Sequence, residues 1–267
     1  MKDLTTETVQ ACLQTRIFGH ALEVHDCLES TNLTLEERAR TGAPEGLVVL
    51  AEQQTGGRGR AGRKWSSPPH KNLYFSLLAR PACPPGMVPQ IAILTALAVR
   101  EALSHHCSTP DFRVKWPNDL LCNGRKLCGI LCTMSCQGNR TDYAIVGVGI
   151  NVNAVREDFA PEVRDIATSL ALLAGHEFPR ANLLASFLSA WERRYEEWLA
   201  AGNLTPFLDE WRQHSYLEGK HILVQQGNEP VSGTVDGISP EGHLILRNGN
   251  HTTLAVAGDA HILPANK

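Results

Sequence analysis

Positions 53–100 of this 267-residue chain contain no aspartate or glutamate, although the whole sequence has 28 acidic residues. There are eight cysteines but no CxxC pair, so neither a disulfide framework nor a zinc ribbon is encoded. Cys128, Cys132 and Cys136 sit at even positions in CGILCTMSC with Ile130 and Met134, which on a strand makes them a buried apolar face. No run reaches the ~18 apolar residues of a membrane span. The longest uncharged stretch, 81–99, opens with four prolines and a glycine in nine residues. MKDLTTETVQ lacks the apolar centre of a secretory signal, so the expected compartment is the cytoplasm and the thiols are expected to be reduced. Nor is there an excess of basic charge. The formal net charge is −3 and the pI about 6.4, which argues against non-specific nucleic-acid binding. At 43% hydrophobic and 20% charged, with mean hydropathy −0.18, the chain can bury a full core and is not disordered.

Hydrophobic patterning gives alternating elements. A helical lead-in is expected over 1–18, and a strand over 20–28. Ser30-Thr31-Asn32 then open a helix to Arg40, because a short hydroxyl residue before an acidic turn is a sound helix start. Strands follow at 46–53 and 72–79, a helix at 87–105, and strands at 112–115, 129–135 and 143–150. Leu183, Leu184, Phe187, Leu188, Trp191, Tyr195, Trp198 and Leu199 form one face of a long helix over 182–201, so its tryptophans belong to a core. A second helix ends near His214. From Gly219 the texture changes to HILVQQ, PVSGTVDGIS, HLILRNG and HTTLAVAG, short strands separated by turn residues. The expected division is a larger domain over 1–218 and a small SH3-like β-barrel over 219–267.

The chemistry-bearing residues are concentrated in four places. Gly57-Arg58-Gly59-Arg60-Ala61-Gly62 formally spells G-x-G-x-x-G, but a dinucleotide fingerprint needs a helix at that turn and an acid about 20 residues later. The loop runs instead into Lys64-Trp65-Ser66-Ser67-Pro68-Pro69, and the acid-free stretch supplies no such acid. What remains is Arg58, Arg60, Arg63 and Lys64 on a glycine-rich backbone, suited to closing around a phosphate. Lys115-Trp116-Pro117-Asn118-Asp119 makes a rigid polar corner at a strand end. Lys126 stands at the entrance of an apolar strand in GRKLCGIL. Gly147-Val148-Gly149-Ile150-Asn151 ends another strand in small residues, permitting close approach by a ligand.

In this order GGRGRAGRKW, KWPNDLL, GRKLCGIL and GVGIN resemble the biotin–protein ligases, and the likeness extends from about Ser30 to the C-terminal strands. The resemblance implies an α+β fold, a mixed β-sheet covered by helices and related to the lipoate ligases, with the SH3-like barrel behind it. It implies that Ser30, Thr31, Asn32 and Gln54 line a biotin pocket, and that Arg58, Gly59 and Arg60 wrap biotin and the adenylate phosphate. Lys126 is then the main catalytic cation, shared by biotin and nucleotide. Trp65 covers the adenine, Arg63 joins the nucleotide contacts, Asn118 and Asn151 contact nucleotide or the metal shell, and Asp119 orients the acceptor lysine. ATP and Mg²⁺ are the implied co-reactants, Mg²⁺ held through the ATP phosphates with Asn151 as a candidate ligand. The implied partner is a biotin carboxyl carrier protein of acetyl-CoA carboxylase or another biotin-dependent carboxylase, and a homodimer is implied by the family. Only 29 residues precede Ser30, too few for the helix-turn-helix domain of bifunctional members, so a form without sequence-specific DNA binding is expected. Two rivals are a lipoate–protein ligase or octanoyl transferase on the same fold, and a non-catalytic binding module using the arginine loop.

Overall fold

The computed structural model describes residues 3–108, 110–226 and 229–263. In chain order the larger part runs α1 (Thr6–Gln10), β1 (Leu22–Leu28), α2 (Thr31–Arg40), β2 (Val48–Gln54), β3 (Leu73–Ala79), α3 (Gln90–His106), β4 (Phe112–Lys115), β5 (Asp119–Cys122), β6 (Arg125–Gln137), β7 (Arg140–Ile150), α4 (Leu170–Ala174), α5 (Arg180–Ala201) and α6 (Leu208–His214). Its seven strands form one sheet in the order β1-β2-β3-β7-β6-β5-β4. Only β1 and β2 are parallel, so the sheet is mixed as expected.

Side-chain alternation sends successive residues to opposite faces, and both faces are covered. Val48, Leu50, Phe75, Leu77, Val146 and Val148 join the large core against α3 and α5. Val49, Leu78, Tyr143 and Ile145 point the other way, onto Leu35 and Ala39 of α2. Trp191 and Trp198 of α5 are buried and donate their indole N–H groups to Thr95 Oγ1 and Gln90 Oε1 of α3, at 3.0 and 2.8 Å. A buried ion cluster ties three distant segments together. Arg180 at the start of α5 donates to Glu52 Oε2 at 2.6 Å and also pairs with Asp3, and Arg180 and Glu52 are only 3% and 1% exposed.

The second sheet contains β8 (His221–Gln226), β9 (Glu229–Ile238), β10 (Leu244–Asn248), β11 (His251–Ala255) and β12 (Asp259–Ile262), all antiparallel, in the order β11-β10-β9-β8-β12. Trp116, from the corner between β4 and β5, is buried and donates to Gly242 O at 3.0 Å, which pins this sheet to the first.

Several expectations change. The helical lead-in contracts to the five residues of α1, and β5, α4 and β12 emerge as short elements that the patterning did not separate. Cys128 is buried, but Cys136 is exposed and Met134 is 45% exposed. The cause is that Cys128 and Ile130 face the large core, whereas β6 and β7 run on past that core as a hairpin, with a bulge between Ser135 and Cys136. The helical stretch Pro85–His106 does reach membrane-span length and a window hydropathy of 1.3, contrary to the run-length reading. Two-thirds of that window is buried within the protein, and α3 is the central helix of the large core.

Candidate functional site

Along β7 the face that carries Tyr143 and Ile145 continues as Gly147, under the first turn of α2, and Gly149, under Trp65. Both glycines are in close contact. A Cβ on Gly147 would lie 2.0 Å from Asn32 Oδ1, and one on Gly149 2.5 Å from Trp65 Nε1. Gly129, the register partner of Gly149 on β6, also faces the Trp65 ring, at 2.8 Å from its would-be Cβ. The GVGIN and LCGIL glycines therefore make a floor without side chains, on which an amide and an indole lie directly.

The first residues of α2 form one wall. Ser30 holds the N-cap position without using its hydroxyl as a cap. Thr31 N–H donates to Gln54 Oε1 at 3.0 Å, and Gln54 Nε2 donates to Ser67 Oγ at 3.0 Å. Ser76 Oγ lies 2.8 Å from Thr31 Oγ1 and 2.6 Å from Asn32 Oδ1, while Asn32 Nδ2 donates to Leu131 O at 3.2 Å. These polar side chains, buried or half-buried, orient one another before any ligand is present.

Cations form the opposite side. The glycine loop is folded tightly: Trp65 N–H donates to Gly57 O at 2.9 Å and Gly59 N–H to Arg63 O at 2.7 Å. A single turn over Arg60–Gly62 reverses the chain, with Ala61 at φ 52° and Gly62 at φ 73°. Arg60 donates to Asn118 Oδ1 at 3.0 Å and Gly258 O at 3.3 Å. Arg63 pairs with Asp259 of β12, and the exposed Arg58 stands 3.8 Å from Glu29. Lys126 is fixed through its backbone, whose N–H donates to Ile166 O at 2.7 Å and whose carbonyl accepts from Thr168 N–H at 2.9 Å. Its Nζ is 2.7 Å from Asp119 Oδ1 and 5.5 Å from the centroid of the Trp65 ring. Asn118 is clamped to Ile130 by both its backbone carbonyl and its amide, at 3.0 and 2.6 Å.

These groups line one cleft of about 610 Å³. Ser30, Thr31, Asn32, Gln54, Arg58, Gly59, Arg60, Arg63, Lys64, Trp65, Asn118, Asp119 and Lys126, scattered over nearly a hundred residues of sequence, all border it. Asn151 does not. It borders an adjoining pocket of about 110 Å³ with Trp65, Lys126, Phe159, Val163 and Ile166, and its amide donates to Thr168 O at 3.0 Å. Trp65 and Lys126 form the partition between the two spaces. The Trp65 indole N–H is buried and has no acceptor among the described residues. Burial pushes the Cys128 thiol up, and that of Cys132 to about 12, so neither is a thiolate near neutral pH.

Sequence reading missed two contributors to the cleft. Ser76 is fully buried at the centre of the polar wall, and its signal was a lone hydroxyl in the apolar run NLYFSLLA. Asp259, Ala260, His261 and Ile262 reach the cleft from β12, whose four residues are too few for their alternation to stand out.

Residues 24–151 match the profile of the biotin/lipoate A/B protein ligase family. The chain is 37% identical over 243 residues to the bifunctional ligase/repressor BirA of Bacillus subtilis, covering 91% of this chain and 74% of that protein. It is 34% identical over 237 residues to the biotin–[acetyl-CoA-carboxylase] ligase of Mycobacterium tuberculosis, covering 86% and 84%. Among solved structures, the biotin protein ligase from Aquifex aeolicus in complex with biotin and ATP superposes with a TM-score of 0.78 at 26% identity, over 92% of this chain and all of that one.

Proposed function

The chain belongs to the biotin–protein ligases of the biotin/lipoate A/B protein ligase family, and from that premise we propose how its cleft divides the reaction. It is an ATP-dependent ligase: biotin and ATP give biotinyl-5′-AMP and pyrophosphate, and the biotinyl group then passes to a lysine of a protein acceptor. The observation that carries the site assignment is the convergence of four separated motifs on one cleft, with hydrogen-bonding side chains at one end and Arg58, Arg60 and Lys126 at the other.

Biotin is an uncharged polar head on an apolar stem ending in a carboxylate. Thr31, Asn32 and Gln54 receive the head, with the buried Ser76 fixing Thr31 and Asn32 from behind. The carboxylate then points toward Lys126. Its attack on the α-phosphorus brings an anion to a polyanion, so offsetting their repulsion is the main catalytic task. A cation ~4 Å from an anion contributes about 4 kcal/mol at an effective dielectric near 20, less where water reaches the pair. Several cations around one transferred group therefore outweigh the repulsion. The adenine enters the adjoining apolar pocket beside Trp65, and Asn151 shapes the wall of that pocket.

Mg²⁺ arrives as part of the nucleotide substrate. Among the described residues no three acids, histidines or cysteines cluster as a metal site. We assign Asn151 to the base pocket because it borders that pocket and not the cleft that holds Arg58, Arg60 and Asp119. In the second step the acceptor amine attacks the adenylate carbonyl and AMP leaves. Asp119 is the acid at the reacting end that can orient that amine, and Lys126 is the group it exchanges for it. The acceptor is a carrier protein of a biotin-dependent carboxylase, met in the cytoplasm, and the enzyme works as a homodimer. The functional division falls near Glu218, with the second sheet as a separate unit.

The test is to incubate the protein with ATP, Mg²⁺ and either biotin or lipoate, then weigh what it retains. Retained biotinyl-adenylate, and escape of that adenylate from Arg60→Gly, is the expected result. Retained lipoyl-adenylate alone would overturn the substrate assignment, and tight retention by Arg60→Gly would overturn the role given to the loop.

A further inference from the structure

Asp259 is the acid that β12 presents to the cleft, and it lies 196 residues from the arginine it meets. Its carboxylate pairs with Arg63 through Oδ2 and stands 3.5 Å from Arg60 Nη1 through Oδ1. The residue before it takes part as well, since Gly258 O accepts from Arg60 Nη2 at 3.3 Å. That carbonyl is aimed by a backbone only glycine adopts readily. Gly258 has φ +132°, and a Cβ there would lie 2.3 Å from Gln225 O. The Gly258-Asp259 corner thus offers two acceptors to two arginines of one loop, from a sheet held in place by the Trp116–Gly242 bond. On the loop side Ala61 and Gly62 both have positive φ, so the turn that brings Arg60 and Arg63 to the same carboxylate is itself specific.

We propose that Asp259 is the positioning residue of the glycine-arginine loop: Arg63 anchors the loop to the second sheet through Asp259, and Arg60 is thereby held over the cleft for the adenylate phosphate. This rests on the reading of Arg60 given above and changes that of Arg63, which becomes an anchor rather than a nucleotide ligand. The backbone of the loop is tied mainly to itself, and among the described residues its arginine side chains have few other partners. Arg58 is half exposed and faces only the exposed Glu29, while Arg63 has 61% of its side chain open to solvent and Asp259 as its ionic partner. Arg60 is better held, at 30% exposure, with Asn118 as a further acceptor. When phosphate arrives, Arg60 exchanges the more distant carboxylate oxygen for it. The closer Arg63–Asp259 pair stays and keeps the loop closed over the intermediate.

The experiment compares Asp259→Asn, Asp259→Glu, Arg63→Gln and the double variant Asp259→Asn/Arg63→Gln with the parent and Arg60→Gly. The readouts are the half-life of retained biotinyl-adenylate, the KM for ATP, kcat and Tm. An exposed ionic anchor has a modest effect, so Asp259→Asn should shorten retention and raise the KM about three- to fivefold, with kcat within about twofold and Tm unchanged. Asp259→Glu should recover part of the loss, and the double variant should be no worse than either single one. Parent-like retention by Asp259→Asn, or losses that multiply in the double variant, would overturn the anchor. Parent-like retention by Arg60→Gly would instead sink the loop assignment on which it rests.

Discussion

At the scale of single residues, the site is organised around two opposite charges, Lys126 and Asp119, 2.7 Å apart. The account gives each a different step. Lys126 faces the attacking carboxylate and the α-phosphate, so Lys126→Ala should cost about 3–4 kcal/mol in the transition state of adenylation, or about 10²–10³ in rate. Aminolysis of chemically supplied biotinyl-adenylate asks less charge neutralisation and should fall less. Asp119→Asn should show the reverse, with adenylation kept within a few-fold and aminolysis reduced more. Both side chains are partly solvent-exposed, so the melting temperature should move little in either variant. Two rates on each variant decide the matter. Equal losses in both steps would reduce the pair to a binding role, and parent-like rates for Lys126→Ala would make it a surface lysine.

Among the elements, β7 sets the geometry of both half-sites through two glycines two residues apart. Neither has a positive φ, so alanine is compatible with the backbone and the effect must come from contact. Gly147→Ala places a methyl group 2.0 Å from Asn32 Oδ1 and should raise the KM for biotin at least tenfold with little change for ATP. Gly149→Ala drives the Trp65 indole off the sheet, from 2.5 Å at Nε1, and should raise the KM for ATP instead. Identical effects on both substrates would contradict the two-pocket assignment. The long elements were legible because their patterns are strong: α2 starts where the Ser30 cap was expected, β4 spans the expected 112–115, and α5 buries the tryptophans of its apolar face. The motif residues were legible by type and order. What stayed hidden depends on tertiary pairing. The four residues of β5 and of β12 become strands only beside β4, β6 and β8, and the alternation of DAHI is too short to mark a strand by itself. Contacts such as Ser76 with Thr31, 45 residues apart, or Arg63 with Asp259, cannot be read from local spacing.

For the whole molecule, the cleft depends on a scaffold stabilised away from it. Arg180 joins α5 to Glu52 of β2 and to Asp3, and Arg180→Met would leave Glu52, 1% exposed, without its guanidinium and with His70 at 3.5 Å as its remaining neighbour. Such a loss is expected to cost about 3–5 kcal/mol, whereas Arg180→Met with Glu52→Leu should recover most of it, both read by denaturant unfolding. Acid should act at the same cluster. Although burial alone would raise it, hydrogen bonding and charge from Arg180 hold the Asp3 carboxyl below its ordinary value, and Arg193 and Arg194 do the same for Glu101. A lowered carboxylate pKa stabilises the fold at pH above its unfolded value, and that stability is lost as pH falls through the folded value. The melting temperature should therefore drop as pH is lowered below about 4, and Asp3→Asn should flatten that part of the profile. The rate and KM predictions rest on the cleft making an acyl-adenylate from biotin. Isotope exchange between labelled pyrophosphate and ATP reads that step alone, without an acceptor protein. The account predicts exchange that requires biotin, is not supported by lipoate, and falls about 10²–10³-fold in Lys126→Ala. Exchange supported by lipoate and not by biotin, or no biotin-dependent exchange by the folded parent, would contradict it.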